Sequence, residues 1–207
     1  RDFCLSRGLG DVYKRQAVLI LFLKFAGISY ETYNEGGQLI EFWLKPAVVA
    51  LGVPLYLQLE MIKKQLLPII ISQLAGCLVG LVTVVVIAKL LGATPDIICS
   101  LAPKSVTTPI AMEVSKATGG IPSLTAAVVV VVGLFGAVFG FKVLRVGHVG
   151  SPIAQGLSMG TATHAVGTST AMEISGKYGA YASLGLTLNG IMTAVFTPTI
   201  LKLLGVI

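Results

Sequence analysis

Four ionisable residues stand where an apolar chain should have none. Lys104 and His164 lie 60 residues apart, and Glu113 and Glu173 repeat that spacing. Each set belongs to a polar phrase, KSVTTPIAMEVSKATGG at residues 104 to 120 and HAVGTSTAMEISGKYGA at residues 164 to 180. A charge at mid-bilayer costs about 2.5–3.5 kcal/mol on insertion scales, so such residues tend to be paired or used. Lys104 has the chemistry to attract a carboxylate. His164, with a reference pKa of about 6.5, is a candidate proton carrier. Ser105, Thr107, Thr108, Thr161, Thr163, Thr168 and Ser169 add hydroxyls around them, while Pro109 and Gly167 interrupt regular backbone. Such a set suits a small hydroxylated or keto carboxylate better than a metal ion. Plainer alternatives stay open: Glu113 and Glu173 in water or beside Lys116 and Lys177, and His164 bonded to a backbone carbonyl.

The elements that must position these residues are membrane helices. Only 12% of the 207 residues are charged and 55% are hydrophobic, with a mean hydropathy of +0.89. Soluble domains carry about 25% charged residues. Residues 65 to 88, 117 to 141, 149 to 172 and 178 to 201 contain no Asp, Glu, Lys or Arg. Each run would be roughly 36 Å as helix, enough to cross a ~30 Å hydrocarbon core. The expected fold is therefore all-α and polytopic. The net charge of +6 comes from basic residues scattered at segment ends, which is a membrane pattern and excludes a nucleic-acid stripe.

Charge parity predicts how the polar phrases sit. Glu31, Glu35 and Glu41 outweigh Lys45 in one loop, which is expected outside. A short crossing at 46–59 then reaches Lys63 and Lys64, expected inside. The run from 66 to 91 returns outward to Asp96, and the next basic cluster, Lys142, Arg145 and His148, is again expected inside. An odd number of crossings must separate them, and residues 122 to 141 are one. The segment 95 to 119 should then dip in and return, with arms at 95–102 and 110–118. Pro103 and Pro109 would bracket its KSVTT tip. The same parity makes 152–178 a second re-entrant hairpin from the opposite face, opened by Pro152 and broken near Gly160 and Gly167. The alternative is two broken full crossings, with parallel repeats.

The two motifs, at 95–124 and 152–184, form an internal repeat. Over residues 102 to 124 against 162 to 184, ten of 23 positions are identical, including Ala111/171, Met112/172, Glu113/173 and Ser115/175 in register. Helices broken within a membrane are tolerated where their freed backbone groups line a cavity or bind something. Half-helix N-termini at 107–109 and 168–170 would offer N–H donors and partial positive charge to an anion.

Other features are weaker. Gly76–Gly80, Gly136–Gly140 and Gly156–Gly160 match G-x-x-x-G, read as close helix packing, with homo-oligomerisation open. Cys77 and Cys99 read as small packing residues, and with Cys4 they form no metal spacing. Trp43 and Tyr56 are candidate interface anchors. No nucleophile elbow, phosphate loop or cofactor motif is present, and nothing suggests catalysis. Residues 1 to 16 have no apolar period and do not begin with Met. They abut AVLILFLKFAGI, a run too short to span, and read as residues unrelated to a chain truncated within a helix. A genuine cytoplasmic tail is the alternative.

The phrases LKPAVVALGVPLY (44–56), LAPKSVTTPIAMEVSKATGGIPSLTA (101–126), GLFGAVFG (133–140) and GLSMGTATHAVGTSTAMEISG (156–176) resemble the LrgB/CidB family. These are antiholin-like bacterial membrane proteins related to a plastidial glycolate/glycerate translocator. The resemblance covers residues 17 to 207, with the family's first helix and part of its second missing. It implies a multi-pass bacterial inner-membrane protein acting with a small LrgA/CidA-like partner. It also implies transport of small carboxylates (glycolate, glycerate or pyruvate type) and control of murein hydrolase activity and autolysis. Two readings follow: a secondary carrier whose twin hairpins hold a small organic anion, or a holin-like regulator or pore component.

Overall fold

A computed structural model describes residues 18–29 and 65–207 continuously, with positions 32, 33, 35–38, 42, 56 and 63 between them. Residues 1–16, Trp43 and all of the crossing expected at 46–59 except position 56 lie outside the described residues; Tyr56 is exposed. The chain divides into two units, Arg1–Ala47 and Val48–Ile207. In the first, residues 18–25 are helical and turn at Gly27, whose φ of 65° suits glycine.

The second unit is all helical among its described residues. Its elements are α1 (Leu66–Leu90), α2 (Pro95–Leu101), α3 (Thr108–Ala117), α4 (Pro122–Val146), α5 (Pro152–Ile174) and α6 (Gly176–Leu203). Four of them carry proline in their first two positions, where a missing N–H costs nothing and a fixed φ favours helix. By length and composition α1, α4 and α6 can each cross a membrane.

The α2–α3 segment cannot cross, because its chain comes back on itself. Thr125 Oγ1 lies 3.0 Å from Ser100 O and 2.7 Å from Ser115 Oγ, so the end of α2 and the far end of α3 share one hydroxyl. Ile121 N also donates to Ser100 Oγ at 2.7 Å. A straight continuation would hold Ser100 and Ser115 roughly 20 Å apart at ~1.5 Å per residue. This first hairpin enters beside the C-terminal end of α1, where Ile98, Cys99 and Ala102 pack on Leu81, Val85 and Ala88.

Helix α5 is also a hairpin, although it contains no loop. Along its first arm Gly156 meets Tyr178 and Tyr181, Gly160 meets Ala182 and Leu186, and Thr161 O accepts from Asn189. The contacts climb along α6. By Met172 they have fallen back to Gly179, and Ala171 packs beside Met159. The reversal is at His164, with φ 44° and ψ −138°. It is not at Gly160 or Gly167, which are helical; Gly160 lets the arm approach the Ala182 carbonyl and Gly167 makes room for Thr163.

Helices α1 and α6 run parallel: Ile69 packs on Tyr181 and Leu184, Cys77 lies 3.5 Å from Thr193, and Lys89 Nζ donates to the carbonyls of Leu204 and Gly205. Helix α4 runs against α5's first arm, with Gly140 on Met159 and Gly136 on Thr163. The hairpins therefore enter from opposite ends, and their tips meet at α4 and α6. Val129 packs on Val106 while its carbonyl lies 2.9 Å from His164 Nε2. Asn189 Nδ2 donates to Ser105 O at 3.1 Å and to Thr161 O at 3.0 Å.

Candidate functional site

Below the joined tips is a cavity of about 610 Å3. Helix α1 supplies Ser72, Gln73, Gly76 and Cys77; the first tip supplies Ala102, Lys104 and Ser105. Leu157, Ser158 and Thr161 come from α5, and Asn189 and Thr193 from α6. Gln65, Pro68 and Ser151, all exposed, form its rim at the face where α1 and the second hairpin begin. The wall is small and polar where Gly76 lets α1 approach Thr161, whose methyl would lie 3.5 Å from an added Cβ.

Lys104 is the charged group among the described lining residues. It is half-buried, and its ammonium donates to Ser105 Oγ at 3.3 Å, with no carboxylate beside it among the described residues. A lone cation facing a small cavity attracts an anion more strongly than in water, because little solvent screens it. Opposite it, Thr161 Oγ1 lies 2.5 Å from Gln73 Oε1 and 2.7 Å from Leu157 O. Gln73 is 3% exposed, so this pair orients an amide inside an apolar helix.

Of the residues singled out in sequence, Lys104, Ser105 and Thr161 come together here. The rest are placed elsewhere. Thr163, Thr168 and Ser169 spend their hydroxyls on Met159 O (2.6 Å), His164 O (2.8 Å) and Val166 O (2.7 Å) of their own helix. Thr107 is the N-cap of α3 but makes no capping bond, and its Oγ1 is buried without a partner. Thr108 and Pro109 form the first turn of α3. Gly167 is packed against Thr163, and His164 is 4% exposed with its ring over Gly133. Glu113 and Glu173 are exposed on the outer sides of the hairpins.

Sequence reading missed Asn189 and Gln73. Each is an amide in the interior of a charge-free run, and that was the available signal: a buried amide needs partners that lipid cannot provide. Asn189 Oδ1 is buried with none. A separate cavity of about 410 Å3, apolar and lined by Phe135, Phe139, Val143, Met159 and Thr163, lies between α4 and α5.

The chain matches the model of the LrgB-like family over residues 12–203. It is 40% identical over 186 residues to the uncharacterized protein YwbG of Bacillus subtilis (strain 168), covering 90% of this chain and 83% of that protein. It is 37% identical over 190 residues to the antiholin-like protein LrgB of Bacillus mycoides (strain KBAB4), covering 90% and 81%. The antiholin-like protein LrgB of Bacillus cereus (strain B4264) gives the same identity and coverage. No solved structure matches.

Proposed function

The chain belongs to the LrgB-like family of membrane proteins, and on that premise we propose that it is a carrier of small organic anions. The observation that carries this reading is the position of Lys104. A cation with no carboxylate partner among the described residues sits at the tip of a re-entrant hairpin, against a cavity whose wall combines apolar side chains with hydroxyls and amides. Its ammonium would take the carboxylate of a glycolate-, glycerate- or pyruvate-type substrate. Ser72, Ser105, Ser158 and Thr161 would meet the remaining oxygens. His164 is assigned to holding the second hairpin, since its Nε2 donates to Val129 O, and the exposed glutamates are assigned to the outer sides of the hairpins, away from the cavity.

The setting is a bacterial inner membrane. Lys63, Lys64, Lys142 and Arg145 would lie on the cytoplasmic side, so that the cavity faces the cytoplasm. The name of the antiholin-like relatives favours a second reading. In it, the protein regulates a pore together with a small LrgA/CidA-like partner and so bears on murein hydrolase activity.

Uptake of labelled glycolate into proteoliposomes separates the two. A carrier gives saturable uptake that Lys104→Ala removes and Lys104→Arg partly retains, with all three proteins inserted equally. A leak that does not saturate and needs the small partner would overturn the carrier reading.

A further inference from the structure

Each hairpin tip is tied to a crossing helix, and the internal repeat makes the two ties equivalent. In one, Asn189 Nδ2 of α6 donates to Ser105 O of the first tip. In the other, His164 Nε2 of the second tip meets Val129 O of α4. The 60-residue offset maps Asn189 onto Val129, and Lys104 and Ser105 onto His164 and Ala165. The same joint therefore occurs twice, with donor and acceptor exchanged between tip and crossing helix.

The two joints differ in reach. His164 holds its own hairpin alone, whereas Asn189 Nδ2 also donates to Thr161 O at 3.0 Å and so spans both hairpins. Both acceptors lie where regular helix has been interrupted: Ser105 in the loop between α2 and α3, Thr161 within a turn of the reversal at His164. Carbonyls freed there need donors that lipid lacks. Packing alone does not explain the residue. Asn189 is 2% exposed and its Oδ1 has no partner, so an aliphatic side chain would fill the space without that desolvation cost. What only the amide provides is two donors aimed at two different tips.

We propose that Asn189 is a positioning residue that latches the hairpin tips to each other. The latch holds Lys104 at the end of the cavity and keeps the cavity closed beyond the tips. Releasing one of its two bonds lets a tip move and opens the site toward the other face. That last step rests on the carrier reading; the latch itself does not.

Cys77 lines the cavity and reports on it directly. The test uses the full chain, with Cys4 and Cys99 replaced by serine, in proteoliposomes. An impermeant maleimide is applied from each side, and labelled glycolate uptake is measured on the same preparations. In Asn189→Leu the Cys77 labelling rate should change about tenfold, the worth of one buried hydrogen bond in an equilibrium constant. Maximal uptake should fall by a similar factor with KM nearly unchanged, and Asn189→Gln, which keeps the donors, should recover part of both. If Asn189→Leu fails to insert, Asn189→Ser carries the same readouts with one donor for two acceptors. Labelling at the wild-type rate in the inserted variant overturns the latch. Shifted labelling in a protein that takes up no glycolate keeps the latch and removes the carrier reading.

Discussion

His164 holds a backbone conformation that its side chain makes costly. At φ 44° and ψ −138° a non-glycine residue is strained by about 1–3 kcal/mol. The bond from Nε2 to Val129 O and the ring's seat over Gly133 hold it there. Glycine and alanine at this position therefore separate the two contributions. His164→Gly loses the bond and relieves the strain, whereas His164→Ala loses the bond and keeps it. The alanine variant should be less stable by about 1–3 kcal/mol in thermal unfolding followed by circular dichroism in detergent. Equal midpoints would mean that the turn is unstrained. Little of this was legible in sequence. A histidine in a polar phrase announces its ionisable ring and says nothing of its φ, and the neighbouring glycines at 160 and 167 drew the expected break to themselves.

At the scale of elements the prolines and charges were informative because they act locally. Pro95, Pro109, Pro122 and Pro152 each open a helix, and the placement of Asp96 against Lys142 and Arg145 pointed to a returning segment. The glycine patterns were ambiguous, because the same spacing serves unlike contacts. A Cβ at Gly156, Gly160, Gly136 or Gly140 would collide with the backbone or side chains of a neighbouring helix. Nothing lies within 4 Å of one at Gly80. Gly160→Ala, forced against the Ala182 carbonyl, should push the second hairpin off α6 and cost about 1–3 kcal/mol or more. Gly80→Ala should be neutral or stabilising by up to about 1 kcal/mol, through helix propensity. Melting temperatures of the two variants in one detergent check this. Similar losses in both would mean that the sequence pattern, and not the approach of backbones, governs packing.

Across the second unit the arrangement is one-sided. Both tips and both ties lie at one end of the cavity, and the exposed rim of Gln65, Pro68 and Ser151 lies at the other. That rim adjoins the end of the chain's path marked by Lys63, Lys142 and Arg145, the end that the bias of basic residues would put in the cytoplasm. Sequence gives grounds for an expected orientation because that depends on charges at segment ends. It could not supply the cavity, whose wall joins residues from Gln65 to Thr193 through folding alone. Cys77 is buried in the resting fold but lines the route from the rim, and Thr193 covers its sulfur at 3.5 Å. An impermeant maleimide should therefore reach Cys77 from the cytoplasmic side of inverted vesicles and hardly at all in intact cells. Glycolate should slow the reaction by occupying the space beside Lys104, and it should lose that effect in Lys104→Ala. Equal labelling from both sides would mean an open pore through the tips, the behaviour of a channel and not of a carrier. Labelling confined to intact cells would invert the orientation while leaving the site in place.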